Sequence, residues 1–253
     1  MADAHSLYMT SATTGFLARG LALYRFMPET LGVERRDGSR LAFQPIHVLP
    51  LLNGYGQLLA NRRFVAGSAA LGLVGLPLIG WIGLSPVLLI HDEGLSTLDY
   101  ALWQLPVFGG LIMGNLIINR IADRYPLTSL VRGALWPYLA GLLGMMLVTW
   151  LLPSVLSLVA GLSVYALGLG IANAVLYRMT LFSSEQSKGL VSAMLGMITI
   201  ALLGLGGALL AMLGAGASLL SFALAAGIAG IAALWPLKVV LNAASAETEA
   251  MPE

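Results

Sequence analysis

Three residues at successive steps of four, Tyr100, Gln104 and Phe108, stand inside an otherwise apolar stretch. That spacing puts them in a stripe on one helical face. A phenol and an amide surrounded by hydrocarbon need hydrogen-bond partners, because burying them unpaired is costly. Two arrangements satisfy this: the stripe turns inward and lines a cavity, or Gln104 bridges two helices and holds them together. A second set, Leu78, Ile79 and Ile82, shares a face of the preceding apolar run. The two runs form a hairpin from Phe64 to Gly110 around the acidic turn HDEGLSTLDY, with Pro77, Pro86 and Pro106 inside its apolar arms. Each proline removes a backbone donor, so the carbonyls of Leu73, Ile82 and Leu102 must be satisfied by neighbouring helices or by a wet cavity. Breaks of this kind tend to line cavities.

Other chemistries are poorly supplied. The remaining polar residues deep in apolar runs are Asn115, Ser163, Tyr165, Asn173 and Thr199, and no Asp, Glu, Lys or Arg falls at mid-run. A proton-coupled pump usually needs a titratable group at that depth; Asp92, Glu93, Asp99 and Asp123 all fall in connections. Ser85 and Ser163 could serve as nucleophiles only with a histidine in reach. His91 lies in the outer turn, and the other two histidines precede the apolar runs. No pair of metal-ligating residues stands at helical spacing within a run, and there is no cysteine, so neither a metal nor another cofactor is expected. An enzyme is not expected either.

Only 10% of the 253 residues are charged and 58% are hydrophobic, against ~25% charged in soluble domains. The chain is therefore read as an all-α integral membrane protein. Six spans are expected, at 64–90, 98–119, 129–152, 154–178, 189–213 and 216–240, each long enough for a ~30 Å hydrocarbon core. Residues 1–62 read differently: an amphipathic or partly inserted stretch over 6–26 containing Arg19 and Arg25, a charged loop, and a surface helix or coil over 43–59. Every Lys and Arg of the six-span part falls in alternate connections, which makes that side cytoplasmic by the positive-inside rule. Both ends of the bundle then lie in the cytoplasm, with Trp103 and Trp150 near the outer interface and Trp235 near the inner one. Net charge of +1 gives no indication of a nucleic-acid partner; the expected partners are lipids and small molecules. Small residues crowd the fifth and sixth spans and favour close helix packing, while Gly196 and Met197 could form an adaptable pocket wall.

The motifs RFMPET, NRRFVAG, LGLVGLPLIGWIGLSPVLLI, QLPVFGG, GLSVYALGLGIANA, RMTLFSSEQSKG and VSAMLGM resemble, in order, the C-terminal half of drug/proton antiporters of the major facilitator superfamily. The similarity runs from about Arg25 to Pro236. It implies half of a major facilitator fold, built of two inverted three-helix repeats, in the bacterial inner membrane. It further implies efflux of lipophilic or cationic drugs such as chloramphenicol. By the same resemblance 1–62 is a remnant of the sixth helix plus the cytoplasmic central loop, 63–240 the six-helix bundle, and 241–253 a cytoplasmic acidic tail. Leu78, Ile79 and Ile82 fall where the family's seventh helix faces the drug cavity, Tyr100, Gln104 and Phe108 where the eighth does, and Gly196 where the eleventh does. Arg178 reads as an orientation anchor, and GNLIINRIADR stands in the place of a cytoplasmic loop motif. The family's proton-coupling acids lie in its first six helices, so export is expected to need an N-terminal six-helix half. Self-association into a two-fold transporter and a non-transporting scaffold are the alternatives.

Overall fold

The chain breaks into helices where its prolines, glycines and capping residues fall. A computed structural model describes Arg25 and residues 48–250; apart from Arg25, the expected remnant over 6–26 and the charged loop after it lie outside the described residues. Helix α1 covers Val48–Ala60, and α2 runs over Arg62–Pro86 and continues as a π-helical turn, Val87–Asp92. Then come α3 (Thr97–Ile121), α4 (Leu127–Leu151), α5 (Val155–Leu181), α6 (Lys188–Met212), α7 (Leu219–Ala232) and α8 (Leu234–Ala250). Among the described residues, six helical segments are long and apolar enough to cross a membrane, with α7 and the start of α8 forming the sixth. The protein is an all-helical, multi-pass membrane protein.

Local chemistry explains the ends. Asn61 caps α2 by accepting from the Arg63 and Phe64 backbone N–H groups, and its amide nitrogen donates to the Ser183 carbonyl at 3.0 Å. At the far end Pro86 starts the π-helical turn, Gly94 takes a positive φ of 68°, and Ser96 with Asp99 forms a capping box that launches α3. The sixth span runs through as expected, over Leu219–Ala244, with one turn residue at Ala233 that keeps right-handed helical dihedrals. Pro236 cannot donate to the Ala232 carbonyl, and the Ala233 N–H closes a tighter turn onto Gly230. Where an acidic tail follows in the sequence, α8 continues as helix to Ala250.

The helices assemble as two triplets. Helix α5 packs most extensively on α4 and α3, while α2 packs on α6, α5, α7 and α8 and only lightly on its sequence neighbour α3. Exchanging α2, α3 and α4 for α5, α6 and α7–α8 maps this pattern onto itself. The α3–α5 seam becomes α6–α2, the α4–α5 seam becomes α2 against α7–α8, and the α2–α5 and α4–α7 seams are their own images. Three is odd, so exchanged helices run in opposite directions, which makes the triplets inverted repeats. This is the architecture of half a major facilitator fold.

Seam glycines set the spacing. A Cβ on Gly168 would strike the Tyr138 backbone, and one on Gly114 the Leu167 carbonyl, so α4 and α3 approach α5 backbone to backbone. At the centre Tyr138 and Tyr165 are buried with ring centroids 5.2 Å apart. Tyr165 on α5 donates to the Val74 carbonyl of α2 at 2.6 Å, and Tyr138 on α4 donates to the Gly230 carbonyl of α7 at 2.9 Å. Each phenol thus closes one of the two self-imaging seams. With alternating helix directions, Arg62, Arg120, Arg124, Arg132, Arg178 and Lys188 gather at one end of the bundle, and Asp92, Glu93 and Asp99 at the other.

Candidate functional site

The α2–α3 hairpin is joined through side chains. The Trp81 indole N–H donates to Gln104 Oε1 at 2.7 Å, and Gln104 Nε2 donates to Ser85 Oγ at 3.1 Å. An indole nitrogen is only a donor, so it fixes which end of the Gln104 amide carries oxygen. Trp81 and Ser85, one turn apart, are both buried. Trp81 also meets Phe222 of α7 edge-on, with centroids 5.8 Å apart. Gln104 therefore bridges the two helices, as one of its expected arrangements required. It remains half-buried, with one N–H and one oxygen lone pair unused by these two bonds.

Around it the expected residues separate. Tyr100 is half-buried and Phe108 is exposed, in line with Gln104 along α3. Ile82 is exposed, whereas Leu78 belongs to the packed core and Ile79 lies against Gly207 of α6. The three α2 residues thus do not share one open face. Gly196 on α6 has open space where a Cβ would stand, next to exposed Met197. Three residues along α6, the Thr199 hydroxyl oxygen is buried and has no hydrogen-bond partner among the described residues. Helices α3 and α6, images of one another under the repeat, are the least buried of the six.

Two of the other deep polar groups are satisfied locally. Asn115 donates to Leu111 and Ser163 to Val159, each one turn back along its own helix. Asn173 is exposed. Arg178 lies exposed in the last turn of α5, where a cation complements the helix dipole. No cluster of three or more metal-ligating side chains occurs among the described residues. Sequence reasoning missed Trp81 as the partner of Gln104. The available signal was Pro77, Trp81 and Ser85 at steps of four, a second stripe with a polar donor in it.

No protein-family model matches the chain. Over 187 residues it is 44% identical to the Multidrug transporter MdfA of Edwardsiella ictaluri (strain 93-146), covering 74% of this chain and 44% of that protein. The chain is a homologue of the MdfA transporters. The protein of the same name from Yersinia pestis bv. Antiqua (strain Angola) is 44% identical over 187 residues, covering 73% of this chain and 43% of its own length. That of Escherichia coli O6:H1 is 43% identical over 185 residues, with the same two coverages. The chain thus spans under half the length of the curated MdfA relatives it matches. Those relatives are named for transport rather than for a catalysed reaction. Bacterial MdfA relatives and six apolar helical spans place the chain in the inner membrane, since the outer membrane is crossed by β-barrels.

Proposed function

We propose that the chain is the C-terminal six-span half of a multidrug efflux transporter, contributing one wall of a drug path and pairing with an N-terminal six-span half. The observation that carries this reading is Gln104, pinned by Trp81 and Ser85 yet left with free hydrogen-bonding capacity on one of the two least buried spans. Tyr100, Phe108 and Ile82 beside it offer aromatic and aliphatic surface. Gly196 and Met197 offer a matching patch on α6, with the buried Thr199 hydroxyl one turn away. Leu78 and Ile79 support this wall from behind. Such a surface suits lipophilic or cationic drugs of the chloramphenicol kind, held by apolar contact with a few fixed polar groups. The basic end of the bundle is taken as cytoplasmic, which puts residues 1–62 and 241–253 on that side as connecting loop and tail.

Proton coupling is assigned to the N-terminal half, because the described spans hold their acidic groups only at their ends. The test is co-expression with a matched N-terminal half in a drug-sensitive strain. Lower accumulation of a lipophilic cation or chloramphenicol is expected for the pair and not for this chain alone. Accumulation equal to that of the empty vector in the paired strain counts against the reading.

A further inference from the structure

A groove of about 520 Å³ runs between the start of α2 and the start of α8, away from the Gln104 face. Arg62 stands at its end; Val65, Ala69, Trp235, Pro236 and Val239 are among the residues that line it. From Arg62 to Ala69 the groove follows α2 for about 10 Å at 1.5 Å per residue, from the charged end of the bundle into its apolar zone. Helix α8 packs alongside α2 after the turn at Ala233, with Trp235 78% exposed. Lys238, exposed beside Val239, adds a second positive charge close by, and among the described residues no acidic side chain lines the groove.

Charge at the rim, an indole at the boundary and apolar walls below match an amphiphile with a negative head. Trp prefers the depth of lipid headgroups, and basic side chains at that depth attract anionic lipid. A drug cation is disfavoured by Arg62. We propose that this groove holds an anionic glycerophospholipid, its phosphate on the Arg62 guanidinium and an acyl chain along Val65, Ala69 and Pro236. The bound lipid joins the first span to the last. This assignment does not depend on drug export.

The experiment is native mass spectrometry of the purified full chain, delipidated and then mixed with phosphatidylglycerol or phosphatidylethanolamine of identical acyl chains. Phosphatidylglycerol is expected to be retained in preference, and Arg62→Glu to lower its retention by about fivefold. Ala69→Trp, which fills the groove and leaves the charge, should lower it as well, while Arg120→Glu, at the same end but outside the groove, should leave it unchanged. Circular dichroism checks helix content, and Arg62→Gln replaces Arg62→Glu if the latter does not fold. Equal retention of the two lipids overturns the assignment. So does an Arg120→Glu effect as large as that of Arg62→Glu, or full retention by Ala69→Trp.

Discussion

The Tyr165 hydroxyl donates to the Val74 carbonyl at 2.6 Å, three residues before the proline inside α2. The phenol is buried and comes from the span that occupies the place of α2 in the other triplet. A proline-weakened stretch of helix is thereby braced from outside itself. The phenol thus lies at the turn that Pro77 loosens, one residue on from the Leu73 carbonyl in sequence.

Removing only that oxygen tests the brace. Tyr165→Phe is expected to destabilise the folded chain by about 0.5–1.5 kcal/mol, the net worth of one hydrogen bond to a carbonyl that keeps its place in the helix ladder. Tyr138→Phe should behave similarly through Gly230. Because the two rings touch, the double variant should depart from additivity. Unfolding in mixed micelles, followed by tryptophan fluorescence, measures all three; unchanged midpoints would falsify the bracing role.

Gln104 serves two ends that can be separated. Gln104→Ala leaves the Trp81 indole N–H unpaired and should lower stability by about 1–3 kcal/mol, while the chain still inserts. In the paired transporter it should also change which drugs are exported. Drug-resistance profiles across a panel of cations and neutral drugs provide the measurement. An unchanged spectrum with lowered stability would leave Gln104 as a bridge alone.

Glycines at the seams and on the open face should respond in opposite ways. Gly168→Leu has to push α4 from α5, since even a Cβ meets the Tyr138 backbone, and folded yield should collapse. Gly196→Ala meets nothing and should be neutral or stabilising by up to about 1 kcal/mol, the ordinary helix-propensity gain. Gly196→Leu should keep folded yield and alter drug recognition. Size-exclusion recovery after solubilisation distinguishes the classes.

The cap at Asn61 has two duties, at the start of α2 and at the Ser183 carbonyl. Asn61→Ala is expected to cost about 1 kcal/mol from the lost cap. It should also speed amide exchange at Phe64 and in the 182–187 connection together. Hydrogen exchange confined to α2 would show that the link to Ser183 contributes nothing.

The spans were legible from sequence to within a few residues, because a run of some twenty apolar residues has few other physical uses. The local turn at Ala233 inside the sixth span was not read, although Pro236 was its signal, because the run of hydropathy passes over it without a dip. Periodicity put Tyr100, Gln104 and Phe108 in one line correctly. It could not say how deep that line is buried, nor that Leu78 turns into the core, since in a membrane chain apolar residues face both neighbour and lipid. The partner of Gln104 was illegible for a related reason: side-chain spacing describes one helix, and the contact belongs to two.

The seam pattern also constrains how the chain is made. Helix α2 is made before the spans it packs on and meets α3 only lightly, and its brace, Tyr165, is 91 residues downstream of Val74. That span must therefore wait in lipid without its brace until the second triplet is threaded in beside it. A stop codon or a stalled ribosome before α5 would strand a span with no seat, the sort of orphan that membrane quality-control proteases remove.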